Sequence, residues 1–242
     1  TGKFALITGG TSGIGYALAE KLVQEGADVA ILARHADMLE SAVASLSKQK
    51  IQPSQKIVHI QADVVQRDEL NLRLEAFVQQ YGIPDIVINY PGTFSALKPE
   101  IFDWMMDVNY FGTVNVLKNF ISGMQKRRSG TIVNISSVAG FIGTYGYTAY
   151  GASKFAVAGF SDALRSELKP YGIQVSVVFP SDTQTPQLAY ESQFKPIITK
   201  KLSGAANLMS SEKAAEIILQ QVARKKYIII PGSEGKLLYF LH

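Results

Sequence analysis

The chain has 242 residues, 47% of them apolar and 18% charged, with a net charge of +4 and no cysteine. That composition builds a globular core, and it excludes disulfides, thiol catalysis and cysteine-ligated zinc within these residues. The basic residues come in short clusters, Lys126–Arg128 and Arg224–Lys226, at expected helix ends rather than in the broad stripe of a nucleic-acid surface.

Short apolar runs alternate with longer amphipathic ones. The first run, FALIT (Phe4–Thr8), reads as a strand and leads into TGGTSGIG (Thr8–Gly15), which opens a helix over Gly13–Glu25. A strand, then glycines, then a helix is the context in which a glycine pattern binds a dinucleotide. Gly9 permits the tight turn, Gly13 lets the backbone approach a pyrophosphate at the helix N-terminus, and Gly15 lets the helix pack on the strand. The expected contact set is Gly9, Thr11, Ser12, Gly13, Ile14 and Gly15.

The second strand, DVAILA (Asp28–Ala33), ends where an NAD site keeps a carboxylate for the ribose hydroxyls. Ala33 and Arg34 stand there instead. A guanidinium pairs with a 2′-phosphate through two charge-assisted bonds, so the expected cofactor is NADP(H), with Thr11, Ser12 and His35 as auxiliary contacts. A helix over Ala36–Lys48 and a strand IVHIQA (Ile57–Ala62) follow. Asp63 beyond that strand suits the adenine amino group, with Val64 beside the ring; capping the next turn is its alternative role.

A helix over Arg67–Tyr81, a strand DIVIN (Asp85–Asn89), a long helix over Glu100–Lys126 and a strand TIVNIS (Thr131–Ser136) continue the alternation. A helix over Ala149–Tyr171, a strand QVSVVF (Gln174–Phe179), a helix over Ser211–Ala223 and a last strand YIIIP (Tyr227–Pro231) complete it. Val- and Ile-rich runs, apolar throughout, are what strands buried on both faces need. The pattern predicts an α/β doubly wound Rossmann fold: one parallel seven-stranded sheet with helices on both faces. Residues 1–242 read as a single domain. The expected break in rhythm is Ser181–Met209, a strand-free insertion leaving the carboxyl edge of the sheet, where ligands bind; it reads as a substrate lid.

Tyr150 and Lys154, in YGYTAYGASK (Tyr145–Lys154), are spaced i, i+4 and share a helix face. A free phenol has a pKa near 10. An ammonium beside it favours the phenolate and fits the phenol for acid–base work at neutral pH. Lys154 can also hold a nicotinamide ribose. Ser137 ends the fifth strand at the same edge, where its hydroxyl can bond a substrate carbonyl. Tyr145 and Tyr147 lack the partner spacing and read as pocket or packing residues.

Together TGGTSGIG, NISSVAG and YGASK resemble the short-chain dehydrogenase/reductase family over nearly the whole chain. The resemblance implies a catalytic tetrad of Asn109, Ser137, Tyr150 and Lys154. In it the tyrosine protonates the substrate oxygen, the serine polarises the carbonyl, the lysine tunes the tyrosine and binds ribose, and the asparagine keeps a relay water. A buried amide bonding backbone is the plainer role for Asn109. The resemblance also adds Asn89, Pro180, Thr183 and Thr185 to the cofactor contacts. Two motifs depart from the family: NYPG (Asn89–Gly92) stands for NNAG, and Pro180–Ser181 for PG. Neither removes a group that the mechanism needs.

The stretch FPSDTQTPQLAYESQFKP (Phe179–Pro196) is similar to the branch of this family that reduces 3-ketodihydrosphingosine to dihydrosphingosine in sphingolipid synthesis. Leu188, Tyr190, Phe194, Ile197, Ile198 and Leu202 can line an apolar groove for an alkyl chain, each buried methylene contributing about 0.8 kcal/mol. Asp182 and Glu191 can meet a substrate ammonium. Another lipophilic ketone, such as a 3-oxoacyl thioester or a steroid, is the alternative substrate, and a non-catalytic NADP(H) sensor the alternative class. No metal is expected. The family resemblance implies a dimer or tetramer built on the two long helices. No run nears the ~20 apolar residues of a membrane span, and no signal peptide is apparent. The expected location is the cytoplasm, or the cytosolic face of a membrane if an anchor lies beyond Thr1 or the apolar KLLYFLH (Lys236–His242).

Overall fold

In the computed structural model, residues 2–89, 99–144, 147–186, 188 and 208–242 are described. Seven parallel strands form the central sheet. They are β1 (Phe4–Thr8), β2 (Asp28–Ala33), β3 (Ile57–Gln61), β4 (Ile86–Asn89), β5 (Gly130–Ile135), β6 (Ile173–Val178) and, last in the chain, β9 (Ile228–Ile229). Their order across the sheet is β3-β2-β1-β4-β5-β6-β9. The order reverses between β1 and β4, so the carboxyl ends of these two strands flank the crevice where such sheets bind ligands.

Alternation within the strands explains the two helical layers. In β1, Ala5 and Ile7 pack into one core with Leu18, Leu22, Leu39 and Leu46. These come from α1 (Gly13–Gln24) and α2 (Ala36–Ser47), and α8 (Ser211–Ala223) adds Ile218 and Val222. Leu6, between them, packs into the other core with Leu70, Leu74 and Phe77 of α3 (Arg67–Tyr81) and with Leu164 and Leu168 of α7 (Thr148–Leu168). Ala5, Leu6 and Ile7 are wholly buried; a side chain the size of Leu6 or Ile7 then contributes about 1.5–3 kcal/mol. The edge strand β3 departs from the expectation of two-sided burial, since His59 and Gln61 face solvent.

Four expected segments differ. The helix over Glu100–Lys126 is broken into α4 (Pro99–Met106), a π turn (Asp107–Phe111), α5 (Gly112–Lys118) and α6 (Ile121–Arg127). Side chains engage the backbone at both breaks: the Thr113 hydroxyl donates to the Asn109 carbonyl at 2.8 Å, and the Asn119 amide donates to the Asn115 carbonyl at 2.8 Å. The insertion Ser181–Met209 is not strand-free. Its ends pair as β7 (Thr183–Gln184) and β8 (Met209–Ser210), a two-stranded parallel ladder that fixes both its roots. The apolar C-terminal run forms α9 (Ser233–Leu241), and Tyr239 closes an aromatic cluster with Phe141 and Phe179. The expected helix over Ala149–Tyr171 ends at Leu168 and closes in a 3-10 turn (Lys169–Tyr171) containing Pro170.

Candidate active site

The glycine turn has the backbone its sequence implies. Gly9 and Gly13 sit at φ of +66° and +56°, the left-handed region open to glycine. A Cβ on Gly15 would lie 2.3 Å from the Gly9 carbonyl oxygen, so only glycine lets α1 start this close to the turn. Ser12 caps α1 in extended conformation and Ile14 is buried, while the Ser12 hydroxyl takes no part in the cap. Thr185 reaches across from beyond β7: a Cβ on Gly13 would meet its Cγ2 at 3.1 Å. The sequence did not single out Gly10, yet a Cβ there would come within 2.5 Å of Ile31 Cγ2; adjacent glycines mask which one serves packing.

Arg34 stands at the end of β2 with its side chain 59% exposed, and its Nη1 lies 3.9 Å from Asp63 Oδ2. A pair that long and that exposed is weak, so the guanidinium remains open to a stronger anion. The other Asp63 oxygen accepts from the Val65 N–H at 3.0 Å, the turn-capping role. Val64 packs against Gly112 at the start of α5, where a Cβ would come within 2.7 Å of it. His35 caps α2 through its backbone only.

Tyr150 and Lys154 lie on α7, which packs against the end of β5 and the 3-10 turn that Ser137 opens. Lys154 is 1% exposed. Its ammonium donates to the Ile135 carbonyl at 3.3 Å and lies 5.5 Å from the centre of the Tyr150 ring. The Tyr147 ring packs edge-on against that of Tyr150. Ser137 follows β5 and caps the 3-10 turn Val138–Gly140, its hydroxyl oxygen accepting from the Ala139 N–H at 3.2 Å. Pro180, after β6, accepts from the Val138 N–H at 3.1 Å and ties the two strand ends together. The Thr183 hydroxyl donates to the Ser181 carbonyl, and the Thr185 hydroxyl oxygen accepts from the Leu188 N–H.

Asn109 lies in the π turn and is fully buried. Its amide donates to the Ser153 hydroxyl oxygen at 2.9 Å, and Ser153 donates to the Tyr150 carbonyl at 2.8 Å. Asn89, at the end of β4, donates to Asn134 at 3.2 Å; Asn134 donates to Ser161 of α7 at 2.9 Å, and Ser161 to the Val157 carbonyl at 2.7 Å. Among the described residues, the side-chain oxygens of Asn89 and Asn109 are buried without a hydrogen-bond partner. Ser136 donates to the Lys154 carbonyl at 2.9 Å, and a Cβ on Gly140 would lie 2.2 Å from its hydroxyl. Sequence reasoning missed Ser136, Asn134, Ser153 and Ser161, because each acts on a partner distant in the chain. Tyr90, Pro91, Tyr145, Tyr190, Glu191, Phe194, Ile197, Ile198 and Leu202 lie outside the described residues.

A glycine turn after β1, a buried lysine beside a tyrosine on α7, and a serine after β5 define an oxidoreductase site of one class. The chain belongs to the short-chain dehydrogenase family, whose model matches residues 3–195. Its relatives narrow the class. It is 35% identical over 243 residues to the 3-ketodihydrosphingosine reductase of Mus musculus, covering 98% of this chain and 73% of that one. To the 3-dehydrosphinganine reductase of Danio rerio it is also 35% identical, with the same coverage of both chains. Among solved structures, a short-chain dehydrogenase from Sphingobium yanoikuyae in complex with NADPH superposes with a TM-score of 0.82 at 26% identity, covering 95% of this chain and 87% of that one.

Proposed function

We propose that this chain reduces a lipophilic ketone to a secondary alcohol with NADPH, and that the ketone is 3-ketodihydrosphingosine. The observation that carries the chemistry is the buried Lys154 ammonium beside the Tyr150 ring. Its kinship with the mouse and zebrafish enzymes supports the substrate. The turn fits a dinucleotide pyrophosphate: Gly13 carries no side chain at positive φ, Gly15 lets α1 start close against the Gly9 backbone, and the N-terminus of α1 opens toward the ligand. Arg34 fits the 2′-phosphate, for which the distant Asp63 carboxylate is a poor competitor.

Reduction adds a hydride to the carbonyl carbon and a proton to its oxygen. Bound NADPH supplies the hydride. The Tyr150 hydroxyl gives the proton, Ser137 donates a hydrogen bond to the same oxygen, and Lys154 stabilises the phenolate left behind and holds the nicotinamide ribose. Asn109 keeps a water through which the proton is replaced. Gly9, Thr11, Ser12, Gly13, Ile14 and Gly15 hold the pyrophosphate. Asp63 and Val64 hold the adenine, while Asn89, Pro180, Thr183 and Thr185 surround the nicotinamide half. Residues 1–242 serve as one domain with a substrate lid over 181–209, rooted in the β7–β8 ladder, and Asp182 faces the substrate ammonium.

The exposed Phe102 of α4, Phe111 of the π turn and Phe155 of α7 support assembly through these elements into a dimer or tetramer, which elution of a monomer in size-exclusion chromatography would refute. No helix among the described residues is long and apolar enough to cross a membrane. The deciding experiment is a panel of 3-ketodihydrosphingosine, a 3-oxoacyl thioester and a steroid ketone, each with NADPH and with NADH. Turnover of the first with NADPH is expected; turnover of only the others would replace the substrate assignment. Tyr150→Phe should lose about 10²–10⁴-fold in kcat while still binding NADPH. A variant that keeps its rate would overturn the mechanism.

A further inference from the structure

YGASK holds a third polar side chain for which the mechanism above has no use. Ser153 is fully buried, one residue before Lys154. Its hydroxyl has a single proton, and that proton goes to the Tyr150 carbonyl, which can only accept. The Ser153 oxygen is therefore left as an acceptor toward Asn109, and it determines which end of that buried amide faces α7. The nitrogen must turn to Ser153, and the Asn109 oxygen is thereby directed elsewhere, as a buried acceptor with no hydrogen-bond partner among the described residues. The Asn109 peptide is held on its other side by the Thr113 hydroxyl, inside a π turn. π turns recur at functional sites, where the extra residue re-aims a side chain.

We propose that Ser153 is a positioning residue for the reduction: it joins the Tyr150 peptide to the Asn109 amide, fixing the tyrosine relative to the π turn and the orientation of the amide oxygen. The inference rests on the reductase reading above. An alanine at 153 would leave the amide nitrogen only its long contact with Met105 Sδ at 3.8 Å, too weak to hold one orientation, and would remove the only side-chain tether described between Asn109 and α7.

The test compares wild type, Ser153→Ala and Ser153→Thr, each saturated with NADPH. With alanine, kcat should fall at least tenfold while the KM for ketone and the Kd for NADPH stay within about twofold. Threonine, which keeps the hydroxyl, should recover most of the rate. In cofactor-free protein, backbone hydrogen exchange over residues 105–113 should be faster with alanine than with serine or threonine. A merely structural serine would change stability without this split between kcat and KM. If the alanine variant does not fold, Ser153→Cys, close in volume and a weaker donor, replaces it, with a loss of at least about threefold in kcat expected. Wild-type kcat and unchanged exchange in the variant would overturn the role of Ser153 alone. A wild-type protein that reduces no ketone in the panel would overturn the reductase reading and this inference with it.

Discussion

Gly15→Ala tests whether the closeness of α1 to the turn is what the cofactor site depends on. The added methyl would stand 2.3 Å from the Gly9 oxygen, 2.9 Å from the Gly9 carbonyl carbon and 3.4 Å from Gly10 Cα. All three are backbone atoms and cannot swing aside, so α1 must withdraw by about an ångström, at a cost of roughly 1–3 kcal/mol. Alanine returns about 0.5–1 kcal/mol of backbone entropy in a helix. At the middle of these ranges the net loss is about 1 kcal/mol, which in a domain of this size lowers Tm by roughly 2–4 °C. Withdrawal also opens the pyrophosphate cradle, and the Kd for NADPH should rise at least fivefold. Circular-dichroism melts with and without NADPH, together with a fluorescence titration, read both effects. A variant melting within about 1 °C of wild type and binding NADPH within about twofold would show that the turn does not depend on this contact.

Arg34→Ala should weaken NADPH binding by about 10–100-fold, the worth of about 1.5–3 kcal/mol of charge-assisted bonding, and leave NADH nearly untouched; equal losses for the two coenzymes in parallel titrations would remove Arg34 from the phosphate site. Ser210 accepts from the Lys213 N–H at 3.2 Å as the N-cap of α8, so Ser210→Ala should cost about 1 kcal/mol in urea denaturation, and an unchanged midpoint would deny the cap. Burial, and after it the Asp162 carboxylate that accepts its hydroxyl, pushes the Tyr227 phenol well above its ordinary 10.0. A raised folded pKa means a contribution fully present below about 10 and lost as pH rises toward the folded value. Melts between about pH 8 and 11 should therefore show an alkaline fall in stability that Tyr227→Phe reduces; parallel curves for the two proteins would contradict this.

The parts of the molecule legible in sequence are those whose cause is local. The strands declare themselves because Ala5, Leu6 and Ile7 must each be apolar when both faces are covered. The glycine turn does so because Gly9 and Gly13 need positive φ. Tyr150 and Lys154 were legible because four residues of helix bring them to one face. What escaped depends on partners far along the chain. Nothing in DVNYF announces a π turn, since the amide of Asn109 is held by Ser153 on another helix. The two-residue strands β7 and β8 carry no pattern of their own and exist because the insertion's ends meet. The Arg34–Asp63 pair joins the ends of neighbouring strands, whose adjacency only the sheet order reveals.

The π turn at Asp107–Phe111 also bears on how this segment tolerates changes in length. Such a turn holds one residue more than the α repeat. Deleting a single residue there would let α4 and α5 run on as one regular helix. Val116 and Leu117 would keep their phase against the sheet, so the domain would still assemble, but the bulge that presents Asn109 would be gone. On the proposed mechanism a shortened chain of this kind would be well folded and inert, and natural variation in length should then be rarer at this point than a surface helix would otherwise allow.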